Sequence, residues 1–359
     1  MSKLERLTGI ELCRGLAAFA VILVHSGDET WGIPIADSAV EFRQMFYFAV
    51  PFFIASYFYF ATKKAPHAIA QNLWQRKIRR IVIPYVIWST LFLLSKSFTF
   101  VLTDNIDRVQ ELWSNPIDII FFGAASYHLY FLPILISGTI LLYSAQYLLK
   151  QNALLLVFEA LSALIFWQWL VSSENSFVLG EYVAFPAILN LFSSQTLVHP
   201  IVRITIINLA WIGNCLPYFF IALLLNHLWH IERRGWVYYQ VTFLFFLFCL
   251  ILMNITRADF IFKGVLDVTN AFTLLLFGVS ISHKLDSDLI TNLGYCSFGI
   301  YFIHPYVKSI ISLCLSTFFP QLVDSISIFS MLLYAIPTFI LSWIIINICK
   351  QNKFIAQYI

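Results

Sequence analysis

Charged residues are scarce in this chain of 359 residues, since Asp, Glu, Lys and Arg together make up only 11%. A typical soluble domain has about 25%. A water-soluble protein of this length needs more charge to cover its surface, so the sequence excludes a soluble enzyme, a disordered chain and a fibrous repeat. The formal net charge of +3 is too small to indicate nucleic acid as a partner.

Cysteine motifs are also lacking. The six cysteines form no CxxC and no Cys/His spacing typical of zinc, and each lies in or beside an apolar run. We therefore predict neither a disulfide framework nor a metal site. A cleavable signal peptide is not expected, because Glu11 and Arg14 interrupt the first apolar run. No GxSxG, P-loop or GxGxxG motif occurs.

Hydrophobic residues, by contrast, make up 60% of the chain, and the mean hydropathy is +0.80. The apolar runs are continuous rather than alternating, which favours spanning helices over a β-barrel. Because a spanning helix needs about 20 apolar residues, we predict an all-α, polytopic membrane protein of about ten transmembrane helices. It forms one domain over residues 1–359. The predicted spans are 9–26, 43–61, 81–103, 127–149, 153–171, 203–228, 236–254, 265–283, 290–316 and 326–348.

The distribution of Lys and Arg predicts the orientation. About 14 of the 22 basic residues fall on the side that holds the N-terminus. By the positive-inside rule both termini are cytoplasmic. Membrane lipid is then an immediate partner, and Lys63 and Lys64 are interpreted as an anchor on anionic headgroups.

The first predicted span carries two ionisable residues, Arg14 and His25, which lie eleven residues apart. On a helix this spacing places them within roughly 20° of one face and about 16 Å apart along the axis. A buried Arg requires an anion, and His is the natural acid or base near neutral pH. The alternative is structural: Arg14 pairs with Glu11, and His25 caps the helix.

Two further histidines are expected at a similar depth. His128 opens the predicted span 127–149 at its outer end, and His304 lies beyond the midpoint of the outward-running span 290–316. Lys308 follows His304 by one turn, and Lys96 lies in the outer half of the third span. Three histidines from three spans predict a polar site in the outer half of the membrane. Each is otherwise interpreted as a satisfied core or interface residue.

A basic cluster precedes the third span. Arg76, Arg79 and Arg80 have the i, i+3, i+4 spacing of one helical face. Such a guanidinium cluster at a helix start suits a polyphosphate ligand, although anchoring to anionic lipid is the alternative. Pro84 is predicted to kink the span that follows.

Five segments stand out in chain order: ELCRGLAAFAVILVH (11–25), VPFFIASYFYF (50–60), RKIRRI (76–81) followed by Pro84 and Tyr85, YHLYFL (127–132) and SFGIYFIHP (297–305). They resemble motifs of the acyltransferase family 3 membrane proteins, in the family's order. One departure is Ala55-Ser56-Tyr57, which stands where the family usually has Ser-Gly-Phe or Ser-Gly-Tyr.

This resemblance implies a bacterial O-acyltransferase of the plasma (inner) membrane. The donor would be acyl-CoA, taken as acetyl-CoA, on the cytoplasmic side. The acceptor would be a hydroxyl of a cell-envelope polysaccharide or lipid-linked sugar. His25 would act as general base or carry the acyl group transiently. Substrate orientation or oxyanion stabilisation would fall to His128, His304, Tyr301 and Lys308. The CoA phosphates would be held by Arg14, Arg76, Arg79 and Arg80.

Two other functions remain open from the residues alone. A proton-coupled transporter or flippase for a glycolipid or small anion would also use a buried Arg, midplane histidines and a proline-broken helix. However, the Arg-x10-His motif has no counterpart in the second half of the chain. A non-catalytic membrane scaffold is the third reading. Assembly as a homo-oligomer is also left open.

Overall fold

The computed structural model describes residues 7–26, 34–64, 70–171, 176–178, 181–183, 185–189, 200–232, 240–245, 247–248, 259–318, 326–352 and 355–357. Most of these residues are helical. The helices, numbered in chain order, are α1 (Thr8–Ser26), α2 (Asp37–Gln44), α3 (Ala49–Lys64), α4 (Ala70–Leu102), α5 (Ile106–Trp113), α6 (Phe131–Gly138), α7 (Leu142–Leu148), α8 (Ala153–Val171), α9 (Pro186–Leu189), α10 (Pro200–Glu232), α11 (Asp259–Ile281), α12 (Asp288–Phe318) and α13 (Ile328–Cys349). Two three-residue strands, β1 (Ser176–Val178) and β2 (Glu181–Val183), pair antiparallel.

Within the described part of the chain, eight helices are long and apolar enough to cross a membrane. They correspond to eight of the predicted spans and confirm a polytopic helical membrane protein. The predicted span 236–254 lies largely outside the described residues, of which 240–245 and 247–248 are helical. The exact number of spans and the cytoplasmic termini stay predictions.

The predicted span 127–149 is helical only from Phe131, and it is not one regular α-helix. Residues 127–130 form a turn, α6 begins only at Phe131, and a 3-10 turn at Thr139–Leu141 separates α6 from α7. Two hydroxyls bond back to carbonyls four residues earlier, Ser137 to Pro133 at 2.9 Å and Thr139 to Leu135 at 2.6 Å. Such bonds compete with the helical ladder and often bend a helix. A hydropathy window detects neither the turn before Phe131 nor the change of helix type at Thr139–Leu141.

The described residues form two compact units, one from Met1–Ser56 with Arg234–Ile359 and the other from Tyr57–Arg233. In the first unit α1 packs against α11, α12 and α13. The amide of Gly9 donates to the Ser282 hydroxyl (3.1 Å), and the Cys13 thiol donates to the Leu274 carbonyl (3.5 Å). Since the later residue of α1 meets the earlier residue of α11, these two helices are antiparallel.

In the second unit α10 is the central helix, and both α8 and α6 pack along it. The Ser137 hydroxyl donates to the Asn208 side chain at 2.6 Å, and the His227 ring contacts the Leu149 carbonyl at 3.0 Å. The chain therefore runs in the same direction along α6, α7 and α10. Between α5 and α6 the backbone is not α-helical and forms a π-helix at Asp118–Phe122.

Candidate active site

Helices α1 and α12 run side by side in the same direction. Near their starts the backbone of Glu11 lies against Gly294, and near the end of α1 the Lys308 side chain reaches the His25 carbonyl. The two pairs have the same sequence separation, 283 residues, as 294 − 11 and 308 − 25. An equal sequence separation at both contacts means that the two helices are parallel. This arrangement brings the end of α1, which carries His25, beside the middle of α12, which carries His304 and Lys308.

His25 and His304 lie against each other at this place. Their ring centroids are 6.1 Å apart, and the rings are nearly parallel, with an interplanar angle of 21°. His304 is completely buried, whereas His25 is half-buried in the last turn of α1. The structure thus pairs two of the three histidines that the sequence placed at one depth.

The backbone sets the tautomer of His304. Its Nδ1 lies 2.7 Å from the carbonyl oxygen of Tyr301. A carbonyl can only accept, so Nδ1 carries a hydrogen, and in a neutral ring Nε2 is the basic nitrogen. The Tyr301 ring lies 6.2 Å from the His304 ring and is itself stacked on Phe298 at 6.5 Å. Tyr301 therefore contacts His304 through both its main chain and its ring.

Lys308 holds the end of α1. Its side chain is buried, and Nζ donates to the His25 carbonyl oxygen at 2.7 Å. Carbonyls in the last turn of a helix have no intrahelical partner, and a cation there is favourable. The sequence predicted that Lys308 orients substrate or stabilises an oxyanion; the structure places it on the backbone of His25. No local pattern indicates a contact between residues so far apart in sequence.

Arg14 pairs with Glu11, as the structural alternative in the sequence predicts. Arg14 Nη1 lies 3.1 and 3.3 Å from the two carboxylate oxygens. The side chains retain 33% and 17% of their exposure respectively. Gly294 makes room for this pair, because a Cβ at that position would collide with the side chain and Cα of Glu11. Any anion that binds Arg14 therefore shares its guanidinium with Glu11.

The basic cluster does not lie at a helix start. The helix α4 already runs from Ala70, so Arg76, Arg79 and Arg80 lie beyond its first turn. The helix dipole, which acts within the first turn, therefore adds little to anion binding there. Arg79 and Arg80 are exposed. The side chain of Arg76 lies outside what the structure describes. Pro84 lies inside α4, where the sequence placed it.

His128 belongs to the second unit and is buried there, with 2% of its surface exposed. It lies in the turn before α6, not in a helix. Its Nδ1 is 3.2 Å from the Ser126 hydroxyl, and the edge of its ring meets Phe92 at 5.2 Å. The joint action of His128 with His25 and His304 stays a prediction.

The sequence analysis missed an ion pair in the second unit. The two terminal guanidinium nitrogens of Arg203, Nη1 and Nη2, donate to the carboxylate of Asp118 at 2.7 and 2.9 Å, and Asp118 is fully buried. Asp118 and Arg203 each stand at an edge of an apolar run, which is the one signal that the sequence offers. Among the residues that the structure describes, no group of three or more His, Cys, Asp or Glu side chains can hold a metal ion.

The comparison with family models decides the family. The acyltransferase family 3 model, described as an acyltransferase domain, matches residues 7–347. The chain belongs to acyltransferase family 3. No curated protein and no solved structure matches it.

Family membership and the apolar helices together make this chain a multi-pass membrane acyltransferase. The match runs from the start of α1 to the last turn of α13 and so includes every candidate residue named above. In the first unit of this acyltransferase, His25 contacts both His304 and Lys308.

Proposed function

We propose that this acyltransferase moves an acetyl group from cytoplasmic acetyl-CoA to a hydroxyl of a cell-envelope glycan or lipid-linked sugar, in the plasma (inner) membrane. The family supplies acyl transfer. The observation that carries the site is the stacked pair of His25 and His304, where the end of α1 meets the middle of the parallel helix α12. Ionisable residues inside a membrane helix bundle are costly and so are functional candidates, and His304 is completely buried.

In the proposed reaction His25 is the general base. Its imidazole takes the proton of the acceptor hydroxyl while the oxygen attacks the thioester carbonyl. The new C–O bond forms as the C–S bond breaks, and the imidazolium returns its proton to the departing CoA thiolate. The products are the acetylated acceptor and CoA. Water-poor surroundings favour this step over hydrolysis of the donor.

His304 and Lys308 support His25 in this reaction. His304 is held by the Tyr301 carbonyl and fixes the face of the His25 ring by stacking. Lys308 fixes the backbone of His25 through its carbonyl. Correct placement of a base by rigid neighbours is worth orders of magnitude in rate. We therefore assign Lys308 the role of a positioning residue.

The donor is expected to bind through its phosphates. Coenzyme A is strongly anionic, and guanidinium groups recognise phosphate by paired hydrogen bonds. Arg79 and Arg80 are exposed on α4, and Arg76 has the spacing of the same helical face. Their positive charge on the predicted cytoplasmic side supports their assignment to the CoA phosphates.

The test is acyl transfer from radiolabelled acetyl-CoA in vesicles that carry native envelope extract. Wild-type protein and a His283→Ala control, which changes an exposed histidine of the first unit, are expected to label a glycan or lipid. Folded His25→Ala protein is expected to label neither. Normal labelling by His25→Ala would refute the assignment of His25. Failure of folded wild-type protein to bind acetyl-CoA would instead favour a transporter.

A further inference from the structure

A groove lies on the surface of the first unit between the start of α12 and the end of α13. It is lined by residues within 288–292 and 343–351, and we call it the α12–α13 groove. Its volume is about 480 Å³, within the range of small-molecule sites, which is about 300–1,000 Å³. The candidate active site at His25 and His304 uses none of its lining residues.

Side-chain hydrogen bonds join the two walls of the groove. Asn292 Nδ2 donates to Asn347 Oδ1 at 2.8 Å, and the Trp343 indole donates to Asn292 Oδ1 at 2.9 Å. Asn347 donates in turn to the Trp343 carbonyl at 2.9 Å. Polar side chains that bond across membrane helices hold those helices together. The groove is therefore formed before any ligand binds.

The groove lies at the predicted cytoplasmic surface of the membrane. Asp288 precedes the predicted span 290–316, and Gln351 follows the predicted span 326–348. Trp343 lies five residues before the end of that second span, about 8 Å along the helix. Tryptophan is enriched at this level of a membrane. A membrane lipid of the cytoplasmic leaflet therefore has direct access to the groove.

One side of the groove is aliphatic. Leu289, Ile344 and Ile348 line it, and they keep 64%, 44% and 61% of their exposure respectively. Ile344 and Ile348 are one turn apart on α13, which has the highest mean hydropathy of the eight long apolar helices, 2.1. In a membrane such a surface contacts acyl chains.

The charge of the groove indicates which lipid fits. Among the described residues that line it, Asp288 alone is charged, and it is exposed. The ammonium of Lys350, nearby in sequence, lies over the Tyr295 ring at 5.2 Å and 3.6 Å from Cys296 Sγ. A carboxylate attracts a cation and repels an anion. A headgroup with an amine therefore fits better than an anionic lipid or coenzyme A.

We propose that the α12–α13 groove binds a phospholipid with a primary amine in its headgroup, as in phosphatidylethanolamine. The ammonium donates to the Asp288 carboxylate, and the exposed Gln351 amide donates to the phosphate. One acyl chain lies along Leu289, Ile344 and Ile348. The bound lipid thus bridges the start of α12 and the end of α13. This site is independent of the proposed acyl transfer.

The first test is the retention of lipid by the full-length protein in detergent. Equal amounts of phosphatidylethanolamine, phosphatidylcholine or phosphatidylglycerol are added, and native mass spectrometry counts the bound lipid. We expect wild-type protein to prefer phosphatidylethanolamine, and Asp288→Asn to lose about fivefold of this preference. The control is Asp286→Asn, which changes a neighbouring exposed acid that does not line the groove. A preference of wild-type protein for phosphatidylglycerol, or an unchanged preference in Asp288→Asn, would refute the assignment.

A cross-linking test locates the lipid. The protein is reconstituted in phosphatidylcholine vesicles with a trace of phosphatidylethanolamine that carries a diazirine in one acyl chain, and mass spectrometry identifies the labelled peptides. We expect label near Leu289 and Ile344. Ile344→Trp fills the groove and is expected to reduce this label severalfold. Ile340→Trp is the control, since Ile340 has nearly the same exposure, 46% against 44%, but does not line the groove. Equal label in the two variants would overturn the proposed site.

The third test separates lipid binding from a purely structural role of Asp288. This residue lies in the first turn of α12, where a carboxylate also stabilises the helix. A ligand of the folded state raises the unfolding temperature, so phosphatidylethanolamine is expected to stabilise wild-type protein and Asp286→Asn more than Asp288→Asn. If the lipid stabilises Asp288→Asn equally, Asp288 serves the helix alone and the proposal is wrong. None of these measurements uses acyl transfer, so a negative result leaves the proposed function intact.

Discussion

Each unit has a lysine that donates to a main-chain carbonyl, Lys308 buried in the first and Lys96 half-buried in the second, but the two support different structures. Lys308 in the first unit donates to the last-turn carbonyl of a regular helix, and Lys96 in the second donates to a carbonyl of irregular backbone. In both units an ammonium group satisfies main chain that has lost its helical partner. The first unit thereby fixes a histidine at a helix end, and the second fixes a loop.

The rest of each site differs accordingly. In the first unit the candidate residues lie on helices α1 and α12, and ring stacking joins them. In the second unit His128 lies on a turn, and a buried ion pair between Asp118 and Arg203 secures the segment before it. A regular helix therefore holds a reactive side chain in place with few additional contacts, whereas irregular backbone requires several.

The largest effect is expected from breaking the ion pair of the second unit. Asp118→Asn leaves Arg203 partly buried without its counter-charge, which costs about 3–5 kcal/mol of stability. The control is Arg108→Ala, which removes an exposed pair with Glu111 and is expected to cost at most about 1 kcal/mol. Thermal unfolding in detergent measures both. Equal unfolding temperatures for the two variants would contradict the anchoring role of Asp118.

A smaller loss is expected at the start of the helix pair in the first unit. Gly294→Ala places a methyl group against Glu11 and forces α1 and α12 apart. Overpacking of this kind costs about 1–3 kcal/mol. A matched control is Ala335→Gly on α13, which creates space instead of a collision in the same core. If Gly294→Ala unfolds at the wild-type temperature, the close contact of these two helices at Glu11 is wrong.

The sequence predicts much of the first unit. Hydropathy identified α1, α11, α12 and α13, and the positions of His25 and His304 within their spans predicted a similar depth for the two, which lie against each other. Each of these features is local in sequence. The Lys308 contact with His25 is not, because its partners are 283 residues apart and only tertiary packing selects them.

The second unit was predicted less well, for a physical reason. Within the predicted span 127–149, the late start follows from the turn before Phe131, and hydroxyls bond back to the helix near the 3-10 turn. The pair of Asp118 and Arg203 spans 85 residues. A hydropathy window averages such residues into an apolar run and cannot assign their partners. The basic cluster was located, but the start of α4 was placed too late.

An intermediate effect is expected at Lys308, the lysine of the first unit that donates to a main-chain carbonyl. Lys308→Met removes the bond to the His25 carbonyl, so the base is less well placed and kcat falls about tenfold. Lys308→Arg keeps a charged donor and is expected to retain most of the rate. The measurement is kcat and KM for acetyl-CoA in reconstituted vesicles. An unchanged kcat for folded Lys308→Met would contradict the positioning role.

The smallest effect is expected at the exposed arginines of α4. Arg79→Ala and Arg80→Ala each remove one phosphate contact, so the KM for acetyl-CoA is expected to rise severalfold without a change in kcat. Lys150→Ala is the control, since Lys150 is exposed in the same unit and is predicted on the same side of the membrane. If neither arginine variant changes this KM, these residues do not hold the donor.

We expect His25 to take part in the chemical step and not only to cap a helix. The most direct measurement is single-turnover acetyl transfer by wild-type protein and His25→Gln, with the label on the donor and on the product followed together. We expect transfer at least about 100-fold slower in His25→Gln, at an unchanged unfolding temperature, because glutamine cannot act as the base. Transfer at the wild-type rate by the folded variant would contradict it.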